Sequence, residues 1–209
     1  WADSLTIQKR MRSVWQHQQH ISYCLFGSKK HLLANLFQNR RMPFYHFGDT
    51  IFLKPISTSD WIPFICGKFA EKGKKISEEL VGKICTTVAS HSSYVQQLAW
   101  NIMVNTETEV TDEIFQQSIS ELLAQCSPLF IQQIQGLTTY QMNLIRCLCQ
   151  GVRKDFTSKD VLETYQLGSK SNISRLKKTL VEKEIIEEEG DTITLADPIS
   201  SFGLNGNIC

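Results

Sequence analysis

The chain has 209 residues, 42% of them hydrophobic and 21% charged, with a formal net charge of +1. That length supports one large or two small domains, and the balanced charge excludes a global pull toward nucleic acid or anionic membrane. No apolar run reaches the roughly 18–20 residues of a bilayer span, and Trp1-Ala2-Asp3 lacks the basic region and apolar core of a signal peptide. The expectation is a cytoplasmic protein with no membrane partner. A chain starting with Trp rather than Met is expected to begin part-way through something longer. The seven cysteines are Cys24, Cys66, Cys85, Cys126, Cys147, Cys149 and Cys209. Their number is odd and no pair has C-x-x-C spacing, which suits buried thiols in a reducing compartment and gives no metal site or disulfide framework.

Residues 3–16 have helical periodicity, with Ile7, Met11, Val14 and Trp15 on one face. Ile21 to Phe26 is a short apolar run expected of a strand buried on both faces of a parallel sheet. Ser28 can cap the helix that follows, whose apolar face is Leu32, Leu33, Leu36 and Phe37. A loop with Arg40-Arg41 precedes a second short strand, Thr50 to Leu53, closed by Lys54-Pro55.

Beyond Pro55 the pattern becomes helical. Trp61, Ile62, Ile65 and Phe69 mark one helix, Ile76, Leu80, Ile84 and Val88 a second, and Val95, Leu98, Ala99 and Ile102 a third. Thr111 caps a fourth containing Phe115, Ile119 and Leu122. Short connections predict a four-helix bundle over 56–125. Cys126 to Leu137 is expected to be a separate bridging helix and turn. Residues 138–197 then give helix, short helix, a Leu167-Gly168 turn, a third helix with Ile173, Leu176 and Leu180 inward, and a hairpin around Gly190-Asp191. That order is a winged helix-turn-helix. The Gly/Ser/Asn-rich tail 198–209 is expected to be flexible.

Gly67 to Lys75 imitates a phosphate loop, but its glycines are one residue too far apart and no Ser or Thr follows the lysine. A solvated basic helix end explains it better. No other glycine cluster serves, and no apolar strand ends in paired acids to hold magnesium. The expectation is no catalytic residue and no metal ligand on this chain. Ser28 either caps its helix or points from a strand end into a nucleotide crevice. Arg40 and Arg41 are either solvated or able to reach a neighbouring subunit's phosphates through the guanidinium fork. His91 starts the third bundle helix, as a capping or core histidine if taken alone.

Lys170, Arg175, Lys177 and Lys178 lie on or beside the third winged-helix helix, with Ser171 and Asn172 interleaved. Cations for phosphates and short polar groups for base edges suit a groove-reading helix. Against this, residues 138–197 hold nine Lys and Arg but ten Asp and Glu, several of them in the wing. Double-stranded DNA and a protein partner both stand as occupants.

Four stretches carry a resemblance: Tyr23 to Leu32, Arg41 to Tyr45, His91 to Trp100, and Leu137 to Gln141, with Asp197-Pro198 near the end. With these, the chain resembles the C-terminal half of the archaeal-type ATPases, a branch of the AAA+/STAND group of P-loop switch ATPases. The resemblance implies a mainly α chain: 1–55 a remnant of an α/β P-loop core, 56–125 a helical lid, 126–137 a linker helix, and 138–197 a winged helix. It implies that Ser28 sits at the sensor-1 position, that Arg40 or Arg41 stands where relatives carry an arginine finger, and that His91 faces the nucleotide. ATP and Mg2+ are then cofactors of an intact parent, none belongs to this chain, and the partner is a P-loop region or another subunit. Three stretches depart from the pattern. Ser92 stands where the lid motif has proline, Gln96 and Gln97 stand where many AAA+ proteins place a sensor arginine, and Ser200 to Leu204 is a degenerate form of the family's aromatic-rich segment, with Phe202 its one aromatic. Without the P-loop strand between them, 21–26 and 50–53 are expected to pair poorly.

Overall fold

The computed structural model describes residues 3–27 and 30–200. The chain divides into two compact units, Trp1–Lys54 and Pro55–Cys209.

The first unit contains helices α1 (Asp3–Trp15) and α2 (Lys30–Gln38). Its interior is aromatic. Phe44 is buried among Trp15, Phe37 and Phe47, with ring centroids 5.5, 5.7 and 5.6 Å away. Tyr23 stacks on Trp15 at 4.2 Å. Arg12, in the last turn of α1, donates to the Pro43 and Tyr45 carbonyls and lies over the Phe47 ring. That satisfies a charge beside an apolar cluster. The two expected strands do not form. Residues 21–27 and 50–53 have no regular structure and share no ladder among the described residues. Nor are they buried on both faces, since Phe26 is 91% and Leu53 85% exposed. A strand's hydrogen bonds come from its neighbour, so apolar β-formers without one stay unpaired.

The second unit opens with a bundle of α3 (Thr58–Glu71), α4 (Glu78–Thr87), α5 (Ser92–Asn105) and α6 (Asp112–Ile134). Ser57, Ser77 and Thr111 cap α3, α4 and α6 by accepting a backbone N–H three residues on, worth about 1 kcal/mol each. Phe69, Ile84, Leu98, Ile102 and Leu122 are among the side chains filling its core, each contributing roughly 1.5–3 kcal/mol. The Lys75 and Glu109 backbones form a parallel bridge that clamps the α3–α4 loop against the α5–α6 loop.

Helix α6 corrects the expected separate linker over 126–137, because it runs unbroken to Ile134 through Pro128. Pro128 is exposed, so its ring meets no packed neighbour there. It cannot donate to the Ala124 carbonyl, while Ser127 beside it donates its hydroxyl to the Leu123 carbonyl at 2.7 Å. Burial of Cys126 and Phe130 in the bundle core holds the helix together past the proline.

Helices α7 (Thr139–Cys149), α8 (Lys159–Thr164) and α9 (Lys170–Glu182) follow, then β1 (Ile186–Glu189) and β2 (Thr192–Leu195). Thr138 and Gln141 form a reciprocal capping box at the start of α7. The strands pair antiparallel with Ile186 opposite Leu195. Leu144, Leu148, Ile173, Leu180, Ile186 and Ile193 share a second core. The expectation of a wholly flexible tail from 198 is corrected at its start: Ile199 is 1% exposed and packs in the bundle core, not in the winged-helix core. A buried isoleucine ties down a segment that its Ser- and Gly-rich sequel does not advertise. Among the described residues, no helix is long and apolar enough to cross a membrane.

Candidate nucleotide-sensing and partner-contact surfaces

Ser28 lies outside the described residues. Arg40 and Arg41 are exposed on the turn after α2. The Asn39 side chain shapes that turn by accepting the Arg41 N–H at 3.0 Å, an Asx-type contact. Neither guanidinium makes an ion pair with a described residue. His91 belongs to the second unit and is described there alone.

His91 is the N-cap of α5, exposed, with no side-chain bond to the helix. Its ring centroid is 4.8 Å from that of Tyr94. Two non-glycine residues with left-handed backbone precede it, Ala89 at φ 48° and Ser90 at φ 56°. Such residues are uncommon outside turns. They turn the chain sharply out of α4, leaving the imidazole on the surface at the start of α5. Gln96 and Gln97 are exposed one turn further on. Among the described residues, no three His, Cys, Asp or Glu side chains gather closely enough to hold a metal ion.

The α9 surface is divided. Ile173, Leu176 and Leu180 face the core, while Ser171, Ser174, Arg175 and Lys178 form an exposed stripe at helical spacing. Lys170 is exposed at its start. Local contacts hold several of the candidate contact residues. Asn172 donates to the Leu167 carbonyl at 3.2 Å and accepts from Arg175 at 2.9 Å. Ser171 shares a hydrogen bond with Ser169. Lys177 lies 5.0 Å over the Phe156 ring, and Lys178 stands 4.0 Å from Glu182. Asn172 therefore shapes the turn into α9 more than it offers a free amide. The wing opposes this stripe with exposed Glu187, Glu188 and Asp191.

Two neighbouring clefts flank the turn. One, of about 400 Å3, is lined by Tyr140, Ser169, Ser171, Asn172 and Arg175, and the other, of about 750 Å3, by Tyr140, Asn143, Lys159, Glu163 and Lys170. Tyr140 borders both. Its residue stood in the sequence only as part of a motif at a helix start, and nothing in that pattern placed it beside α9.

The structure also shows a seam invisible in the sequence. Tyr94, on α5, donates its hydroxyl to the Asp197 carboxylate at 2.5 Å across 103 residues. Burial, and next the Asp197 carboxylate, push the Tyr94 hydroxyl far above its ordinary pKa. Burial and the same carboxylate raise the Cys126 thiol. A second surface lies on the bundle between α3 and α5, a groove of about 220 Å3 with Phe64, Trp100 and Met103 along it and Lys68 and Lys72 at its rim.

A family model described as a probable winged helix domain matches residues 128–204. Together with the helix order and hairpin, it identifies the C-terminal region as a winged helix domain. No curated protein sequence matches the chain. Among solved structures, the chain is similar to the Walker-type ATPase PABY2304 of Pyrococcus abyssi, with TM-score 0.71 and 16% identity. The match covers 96% of this chain and 57% of that one. The chain therefore has the fold of part of an archaeal Walker-type ATPase and spans a little over half of its length.

Proposed function

We propose that this chain is the lid and winged helix of a nucleotide-driven switch of the AAA+/STAND kind, and that it is not catalytic without a P-loop core. ATP and Mg2+ bound by that core, on a preceding segment or another subunit, close the bundle as a lid and carry the winged helix with it, a hinge-type transition. Ser28, Arg40, Arg41 and His91 serve as nucleotide-sensing residues in this reading. The seam carries it: Tyr94 holds Asp197 and the bundle core holds Ile199, so a displacement of the lid is passed on to the winged helix. Likeness to an archaeal Walker-type ATPase fold supports the same reading. The chain supplies no cradle of backbone amides with a lysine, and a triphosphate needs one. Titration calorimetry of the purified chain with Mg-ATP tests this. We expect no binding tighter than about 100 μM. Micromolar affinity, or measurable turnover by the chain alone, would refute it.

The winged helix serves in this scheme as a protein-contact surface. Its acidic wing repels a phosphate backbone, and local contacts occupy much of the cationic side of α9. The exposed Ser171, Ser174, Arg175 and Lys178 stripe favours a second reading, duplex DNA held by Lys170, Arg175 and Lys178. Fluorescence anisotropy with a labelled duplex at low salt separates the two. Salt-dependent binding lost in the Lys170→Ala, Arg175→Ala, Lys178→Ala triple variant establishes DNA, and no binding at low salt excludes it.

A further inference from the structure

The second unit has two cores with almost no shared membership. One is built from residues of α3 to α6, as far as Phe130, and the other from residues of α7 to β2. Helix α6 joins them, because its last-turn Ile134 and the following Leu137 pack on the winged-helix core. The covalent route then narrows to Gln135–Leu137. Gly136 turns there at φ +80°, with nothing within 4 Å of where a Cβ would stand. Among the described residues, the chain also returns to the bundle near its end. After β2 it leaves the winged-helix core and seats Ile199 in the bundle core. Asp197 organises that return: its carboxylate accepts from Tyr94 and from the Ile199 backbone N–H at 2.9 Å, and its carbonyl accepts the Ser200 hydroxyl. A void of about 20 Å3, lined by Phe130, Ile134, Ile145, Leu195 and Ser200, remains beside the seat.

We propose that Asp197–Ser200 is a releasable strap: while Tyr94 holds Asp197 and Ile199 is seated, winged helix and bundle move together, and when the strap lifts the winged helix swings about Gln135–Leu137 with both cores folded. The inference deepens the switch reading and rests on it for its purpose, but its physical content needs no nucleotide. Where two cores are joined by one covalent crossing and by a short segment that can lift from its seat, the joint has two discrete arrangements, whereas a single continuous core deforms only as a whole. The Tyr94–Asp197 bond is short and partly shielded from water, so its loss leaves the carboxylate only the Ile199 N–H as a donor at the seam.

The test is hydrogen exchange on the 209-residue chain, without nucleotide, in wild type, Tyr94→Phe, Asp197→Asn and Ile199→Ala. The strap predicts that peptides covering 197–200 exchange at least about tenfold faster in each variant, while α5 and α9 keep wild-type protection to within about twofold. Calorimetry should show the unit's unfolding separating into two transitions in the variants. Unchanged protection of 197–200 in Tyr94→Phe and Asp197→Asn overturns the proposal. So does parallel loss of protection in α5 and α9, which makes the seam part of one cooperative core. A failure of the switch reading appears separately, in the Mg-ATP titration.

Discussion

Tyr140 lies so close to Gly168 that a Cβ built on the glycine would meet the ring's Cε1 at 3.2 Å. The same glycine holds φ +81°, a left-handed conformation that costs an L-residue roughly 1–2 kcal/mol. Gly168→Ala should therefore destabilise the winged helix by about that amount or slightly more. Urea denaturation read by far-UV circular dichroism measures it. An unchanged midpoint would show that the turn relaxes freely.

At the start of α7, Thr138 and Gln141 cap one another's backbone N–H groups. Thr138→Ala removes one of the two bonds and leaves a helix N–H without its partner. The expected loss is about 1 kcal/mol, and Thr138→Ser should recover most of it. Chemical denaturation of the pair of variants gives the comparison directly.

Pro128 lies on the exposed side of α6 and has no N–H to offer the Ala124 carbonyl. Pro128→Ala restores an N–H aimed at the Ala124 carbonyl and should stabilise the helix by about 1–3 kcal/mol. A rise in melting temperature checks this. A fall would mean that the fixed φ of the proline contributes more to α6 than the hydrogen bond it omits.

Cys147 is fully buried, and burial raises its thiol to about 11, with nearby Arg153 pulling weakly the other way. In the unfolded chain the thiol ionises near its ordinary value of 9.0. The folded state thus keeps a proton that the unfolded state has lost. Stability from this group is complete below about pH 9 and falls as pH rises toward about 11, by on the order of 2 kcal/mol. Cys147→Ala should flatten that part of the stability–pH curve. At pH 8, alkylation of the native chain should modify exposed Cys24 well before Cys147.

On the bundle, Leu98 is fully buried while Trp100, two residues later, is 62% exposed. Leu98→Ala should cost about 2–5 kcal/mol through lost burial and the cavity left behind. Trp100→Ala should change stability by less than about 0.5 kcal/mol. Equal costs would show that Trp100 is covered in solution.

Helical periodicity made α3 to α5 and α7 to α9 legible, because a buried stripe at 3.6-residue spacing and a capping Ser or Thr are local properties of the chain. Residues 21–26 and 50–53 misled for the complementary reason. Their β-branched and aromatic residues state a preference, but a ladder needs a partner that local sequence cannot supply. The bridging helix expected from Cys126 is instead the continuation of α6, held by burial of Cys126 and Phe130 in the bundle core. Of the candidate site residues, Lys170, Ser171, Arg175 and Lys178 could be placed on the exposed side of α9 from spacing alone. That Asn172 is spent on the Leu167 carbonyl could not.

By itself the sequence determined the order of helices, their caps and the wing, since each depends on residues within a turn or two of one another. Only the tertiary structure decided that α6 is one helix serving two cores, that Tyr94 meets Asp197, and that Ile199 leaves its own domain for the bundle. Contacts across some hundred residues are selected by the shape and burial of the whole fold, and no local pattern encodes them.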